Sequence, residues 1–233
     1  MFERLRNLLP RRPPSGGDAD PVAHWATGLF LRHRAIGPHQ FEVSGRLHDR
    51  PFQAECVASS RPYIDGLELR ARADLGLPPT GHVIVMSRVV KAALEAQADK
   101  IYRQAVDTVQ TTAHDLPEEV RWLSMYRSTQ WKGVDERFWS RYAVLTDAPE
   151  LAQRWLDDEA LDYLMAGTSE VAAQVPVLVM LMRGRSYLRL QVNPHARGAD
   201  ALLALELLAY LSERALQLAA RSGVLDGSLS NPG

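Results

Sequence analysis

Two stretches of this chain double back with one side kept strictly apolar or small, and nothing else in the sequence constrains the fold as tightly. In the first, FEVSGRL faces FQAECVA across a turn at HDRP, so that Leu47 opposes Phe52. Gly45/Ala54, Val43/Cys56 and Phe41/Ala58 then follow on the same side, while Arg46/Gln53, Ser44/Glu55 and Glu42/Val57 take the other. Strand side chains alternate between faces, so a one-residue slip would turn every apolar group outward and the pattern protects its own register. LELRARA continues it, with Leu67, Leu69, Ala71 and Ala73 alternating with Glu68, Arg70, Arg72 and Asp74. The reading is an antiparallel meander with one wet face.

The second stretch is VPVLVMLMRGRSYLRLQV, Val175 to Val192. With Gly184 and Arg185 as a two-residue turn, glycine takes the first central position that a type II′ turn favours. Leu181/Leu188, Val179/Leu190 and Val177/Val192 then form an apolar face, opposite Met182/Tyr187, Met180/Arg189 and Leu178/Gln191. The arginines look like an anion site, but this pairing puts Arg183 and Arg189 on opposite faces and Arg185 in the turn.

Helices complete the outline. VAHWATGLFLRHR reads as a first short helix. GHVIVMSRVVKAALEAQADKIYRQAV reads as a buried strand, His82–Met86, entering a helix over Arg88–Gln110 with Ser87 as its N-cap. In HDLPEEVRWLSMYRS, Asp115 and Glu118 have capping-box spacing. Val120, Trp122, Ser124 and Tyr126 nevertheless alternate, and residues 119–127 are read as strand. WSRYAVLTD is a strand, followed by a helix over Ala148–Met165 that Asp147 would cap. The segment Asp200–Arg221 is a helix of about six turns, with Gly223 placed to end it. Its first half, ALLALELLAYL, is apolar nearly all round, which suits burial between layers or against a second copy.

The expected fold is α+β, two-layered, with an antiparallel sheet built from hairpins and about three long helices packed on its apolar face. Residues 1–20 read as a flexible segment and linker ending in PPSGGDAD, and 21–223 as one α+β domain with a possible subdomain junction at 111–119. Residues 224–233 read as a disordered tail.

Charge and composition exclude several functions. A net charge of −1 lacks the cationic excess on which coating nucleic acid depends, so no nucleic-acid partner is expected. Lysine occurs only at Lys91, Lys100 and Lys132, and the arginine-, alanine- and leucine-rich remainder matches GC-rich bacterial coding. One cysteine, Cys56, permits neither an intramolecular disulfide nor a cysteine zinc cluster. No apolar run reaches membrane-spanning length, and the start lacks the apolar core of a secretory signal, so the expected compartment is the cytoplasm.

Constellations that could carry chemistry are sparse. Cys56 lies on an apolar face, where burial opposes thiolate formation. None of the seven histidines makes an H-E-x-x-H pair, and no metal or cofactor is expected. Both strand-to-helix junctions, VMSRVV and VLTDAP, lack the glycines of a phosphate-cradling loop. Within DDEALD, Asp158 and Asp162 stand four apart on one helix face, the spacing an acid/base pair or cation site needs and also that of a solvated flank. His114, beside Asp115 and near Glu118 and Glu119, is the other weak candidate.

The leading expectation is a non-catalytic binding or adaptor protein that works through protein–protein contacts. It would use the wet meander face, with Glu42, Arg46, Glu55, Glu68, Arg70 and Arg72, or the 200–221 helix as a partner or self-association surface. One alternative is an enzyme with a dispersed, possibly metal-dependent site at Asp158, Asp162 and His114. The other is a membrane- or complex-tethered protein that uses the basic amphipathic start, Met1–Arg12, as its hook.

Overall fold

A computed structural model describes residues 20–107, 117–166, 175–196 and 198–222. Met1–Arg12, His114, the proposed cap residues Asp115 and Gly223, most of the 111–119 junction and the 224–233 tail lie outside these residues.

Nine strands form one sheet in the order β1-β2-β3-β4-β9-β8-β5-β7-β6, with every neighbouring pair antiparallel. They are β1 (Arg32–Gly37), β2 (Gln40–Leu47), β3 (Arg50–Ala58), β4 (Leu67–Asp74), β5 (Val83–Ser87), β6 (Arg127–Thr129), β7 (Tyr142–Thr146), β8 (Val177–Met182) and β9 (Arg185–Val192). The helices are α1 (Pro21–Gly28), α2 (Arg88–Asp107), α3 (Glu118–Met125), α4 (Glu136–Arg141), α5 (Pro149–Trp155), α6 (Asp158–Met165) and α7 (Ala199–Arg221). The protein is therefore α+β, and the ladder between β4 and β9 joins the early meander to the late hairpin.

Both hairpins keep the expected faces in a register two residues tighter. Phe41 faces Cys56 and Leu47 faces Arg50, closing the first turn on His48 and Asp49 alone. In the second, Val179 faces Leu188 and Met182 faces Arg185, so the turn is Arg183–Gly184, not Gly184–Arg185. All four turn residues have positive φ, the signature of a type I′ turn, which follows the twist of the flanking strands. A shift of two leaves each side chain on its face, so the partition into core and wet sides survives the correction.

The helices do not all pack on one face. Alternation along β5 sends Val83 and Val85 into one core and Ile84 and Met86 into the other. The larger core holds the meander's apolar face under α1, α5, α6 and α7. The smaller holds Val90 and Leu94 of α2 and Val120 and Trp122 of α3 against Leu178, Met180, Ala143 and Leu145. Among the described residues, the sheet is thus sandwiched at the β8-β5-β7 end and covered on one side only at the β1-β2-β3-β4 end. The physical reason is that β5, β7 and β8 are apolar on both faces, whereas the meander strands are apolar on one.

Three element boundaries also differ. The first helix stops at Gly28, and Arg32–Gly37 pairs with β2 as an edge strand. The 119–127 segment is mostly helix α3, with Val120 and Trp122 buried and Glu118 and Glu119 in its first turn, where carboxylates suit the helix dipole. The Ala148–Met165 helix is broken into two, because the Asp157 carboxylate accepts from Ala160 N at 3.2 Å and starts α6 afresh.

Helix α7 lies within the larger core. Ala201, Leu205, Leu208 and Leu211 are all inaccessible, and no residue from Asp200 to Ala219 is exposed. The helix packs on β9 and β4 and against α1, α5 and α6. Burial between layers, not a free face for a second copy, accounts for its apolar run. Among the described residues, no helix is long and apolar enough to cross a membrane.

Candidate functional site

The uncovered half of the sheet presents a polar surface whose order follows from strand register. One row runs Arg34, Glu42, Glu55, Arg70, Arg189 across β1, β2, β3, β4 and β9. It is closed by ion pairs, Arg34 Nη2 to Glu42 at 2.6 Å and Arg70 Nη2 to Glu55 at 3.0 Å. The neighbouring row runs Arg32, Ser44, Gln53, Arg72, Tyr187 and contains no carboxylate. Over these rows lies an open trough of about 500 Å³, floored by β2, β3, β4 and β9. Glu42, Glu55, Arg70 and Arg72, four of the six wet-face residues expected from the meander, line it.

Glu68, another of the six, is instead buried at 1% exposure within a cluster at one end of this surface. Arg61 Nε donates to Glu68 Oε1 at 3.0 Å and Ser59 Oγ to Glu68 Oε2 at 3.0 Å. The Glu119 carboxylate accepts from the guanidinium groups of both Arg61 and Arg189, and from the Tyr63 hydroxyl at 3.0 Å. Two arginines and two glutamates balance in charge. Burial, reinforced by the adjacent Glu119 carboxylate, pushes the Tyr63 hydroxyl up to about 12, so it remains a donor. The cluster fastens the start of α3 beside the trough. Sequence reading missed it because Arg61 and Glu119 lie 58 positions apart and the patterns read around Glu119 concern its own segment, not a partner across the fold.

The arginines of RGRSYLR depart from the expected places: Arg183 is in the turn and Arg185 on β9, and Arg183 and Arg189 both meet the first turn of α3 instead of lying on opposite faces. Arg183 lies 3.5 Å from Glu118, Arg185 Nε lies 3.1 Å from Asp74, and Arg189 joins the Glu119 cluster. Cys56 is fully buried, and desolvation raises its thiol to about 11.

A second arrangement lies at the β5–β7 end. Asp147 does not cap α5. Its carboxylate accepts from His82 N at 2.7 Å and from the His82 ring at Nδ1 at 2.8 Å, while the Tyr126 ring lies 5.5 Å from that imidazole. Thr146 Oγ1 accepts from Ala148 N at 2.9 Å in the turn before α5, and that helix has no side-chain cap. A carboxylate-oriented imidazole is a component of acid/base sites. Among the described residues, no serine or cysteine nucleophile is bonded to it.

Asp158 and Asp162 occupy the exposed flank of α6. Among the described residues, no group of three or more histidine, cysteine, aspartate or glutamate side chains is placed to hold a metal ion.

Comparisons with known proteins add little. No protein-family model and no curated protein matches the chain. Among solved structures, the crystal structure of the mycobacterial trehalose monomycolate transport factor A, TtfA, is similar at a TM-score of 0.40 and 8% identity. That match covers 82% of this chain and 90% of that one. A likeness at that level carries no weight for function, which therefore has to be read from the chain's own surface.

Proposed function

We propose that this chain is a cytoplasmic, non-catalytic binding or adaptor protein whose working surface is the uncovered polar half of its sheet. One observation carries the reading. Among the described residues, the helices α2 and α3 cover that face over β8, β5 and β7 and reach β9 at Tyr187 and Arg189, leaving ordered polar rows around a trough on β2, β3, β4 and β9. A flat, hydrogen-bonded sheet holds such side chains in a fixed array at little entropic cost, which is what a docking surface requires. The 200–221 helix packs on the sheet and on three other helices, which is why the reading puts the working surface on the polar sheet face and not on that helix.

The test is a photo-crosslinking residue placed at Gln53, compared with the same residue at Asp158 on the exposed flank of α6. In cells that make the protein, Gln53 is expected to yield a discrete adduct and Asp158 none. Equal labelling from both positions, or none from Gln53, overturns the reading.

A further inference from the structure

Resting on that reading, we infer that the partner docks through an acidic, extended segment seated on the carboxylate-free row, with an apolar residue of the segment meeting Phe30. The cations of this face are not equivalent. Arg34, Arg70, Arg185 and Arg189 each have a carboxylate of this chain within ion-pair reach. Among the described residues, Arg72 bonds only the neutral Gln53, at 3.3 Å, and Arg46 only the backbone oxygen of Asp49. Arg32 has no side-chain partner among the described residues.

Register brings these three together. Arg32 pairs with Ser44, Ser44 with Gln53, and Gln53 with Arg72, so the outer two stand three strand spacings apart, about 14 Å. Arg46 lies two residues from Ser44 on β2, about 7 Å along the strand. All three are exposed, and Ser44, Gln53 and Tyr187 supply neutral hydrogen-bonding groups between and beside them. The surface is an array of uncommitted guanidinium groups at spacings that an extended peptide spans.

Phe30 stands two residues before Arg32, 97% exposed and at φ 56, a left-handed conformation that a bulky residue rarely adopts. A strained aromatic kept wholly out of the core, two residues before Arg32, gives the fold nothing by burial and offers a segment seated on this row an apolar contact.

Charge complementarity selects the occupant. A second copy of this chain would set the same arginines against one another. A nucleic acid would run its phosphates past Glu42 and Glu55 in the same trough, without the cationic excess that such binding needs. An extended protein segment can set carboxylates over the arginines and neutral residues between them, opposite Ser44 and Gln53 and beside Glu42 and Glu55, which a phosphate chain charged at every unit cannot.

The test uses the full chain and three fluorescent probes. These are a short peptide of alternating glutamates carrying one phenylalanine, its glutamine counterpart, and single-stranded DNA of similar length. The acidic peptide is expected to bind, with affinity falling as ionic strength rises from about 0.05 M to about 0.5 M. Arg32→Glu and Arg72→Glu are each expected to weaken it about tenfold or more. Phe30→Ser weakens it less, and Arg221→Glu, the same charge change at the far end of α7, leaves it unchanged. All four sites are exposed, so melting curves should match the parent's. Equal binding of the glutamine peptide, tighter binding of DNA, or an equal loss from Arg221→Glu overturns the inference. A Gln53 adduct that survives Arg72→Glu undiminished overturns this partner chemistry but leaves the binding face standing, whereas no adduct removes both.

Discussion

At the scale of single residues, the clearest consequence of burial is at Cys56. Its thiol is inaccessible and raised to about 11, so the thiolate that reacts is nearly absent near neutral pH. A disulfide reagent such as DTNB at pH about 8 is expected to leave native protein unmodified and to titrate one thiol after denaturation. Rapid reaction of the folded chain would contradict the buried assignment. Asp147 gives the opposite kind of prediction. Burial alone would raise its carboxyl, but the hydrogen bonds from the His82 ring and backbone outweigh that and hold it below the usual carboxylate range. A group depressed in the folded state contributes stability that is complete above its unfolded pKa and is lost as pH falls through the folded value. Asp147→Asn is therefore expected to cost about 1 kcal/mol near neutrality, kept small because the side chain is nearly half exposed and screened. The gap should narrow as pH falls below the ordinary carboxylate range, and urea midpoints across pH would read it. Neither residue's role was equally visible in the chain. Cys56 stands in an alternating run that announces its face. His82 and Asp147 are far apart in sequence, and the second resembled a helix cap because it precedes a helix.

At the scale of elements, Glu119 supplies the polar attachment of α3 beside the apolar contacts of Val120 and Trp122. It is 13% exposed and faces Arg61, Arg189 and Tyr63, so removing its charge strands two guanidinium groups in a partly dry setting. Glu119→Gln is expected to destabilise by about 2–4 kcal/mol and to speed amide exchange in α3 before the rest of the sheet. Unchanged protection in α3 would show that its apolar contacts suffice. Gly184 tests the second hairpin. It sits at φ 71, and a Cβ there would collide with the backbone carbonyl of Leu77. Gly184→Ala is expected to cost about 3 kcal/mol in chemical denaturation, more than an ordinary loop substitution. These turns also show why the faces of both hairpins were legible and their registers were not. Alternation specifies a face modulo two residues. The remaining choice rests on turn geometry, and His48, Asp49 and Arg183 adopt positive φ without the glycine that would signal it. The same limit applied to the candidate surface. Glu42, Glu55, Arg70 and Arg72 were placed on the wet side from local pattern alone, whereas the β4–β9 ladder that adds Tyr187 and Arg189 joins residues over a hundred positions apart.

For the whole molecule, the division of helices between faces follows from which strands are apolar on both sides. It produces two cores sharing β5, β7 and β8. Leu208, inaccessible at the middle of α7, probes the larger core. Leu208→Ala is expected to lower the unfolding free energy by about 3 kcal/mol with no change in hydrodynamic size. A change in mass by light scattering would return α7 to the status of a contact between copies. The chain order of that core has a further consequence. Its floor is laid by β2, β3 and β4, the early strands, yet α7, which seals them and packs against α1, follows every strand. A ribosome releasing this polypeptide from its amino end holds a greasy, half-roofed sheet until the closing helix emerges. The larger core therefore cannot close until nearly all of the chain has left the ribosome, which exposes its early strands for most of synthesis.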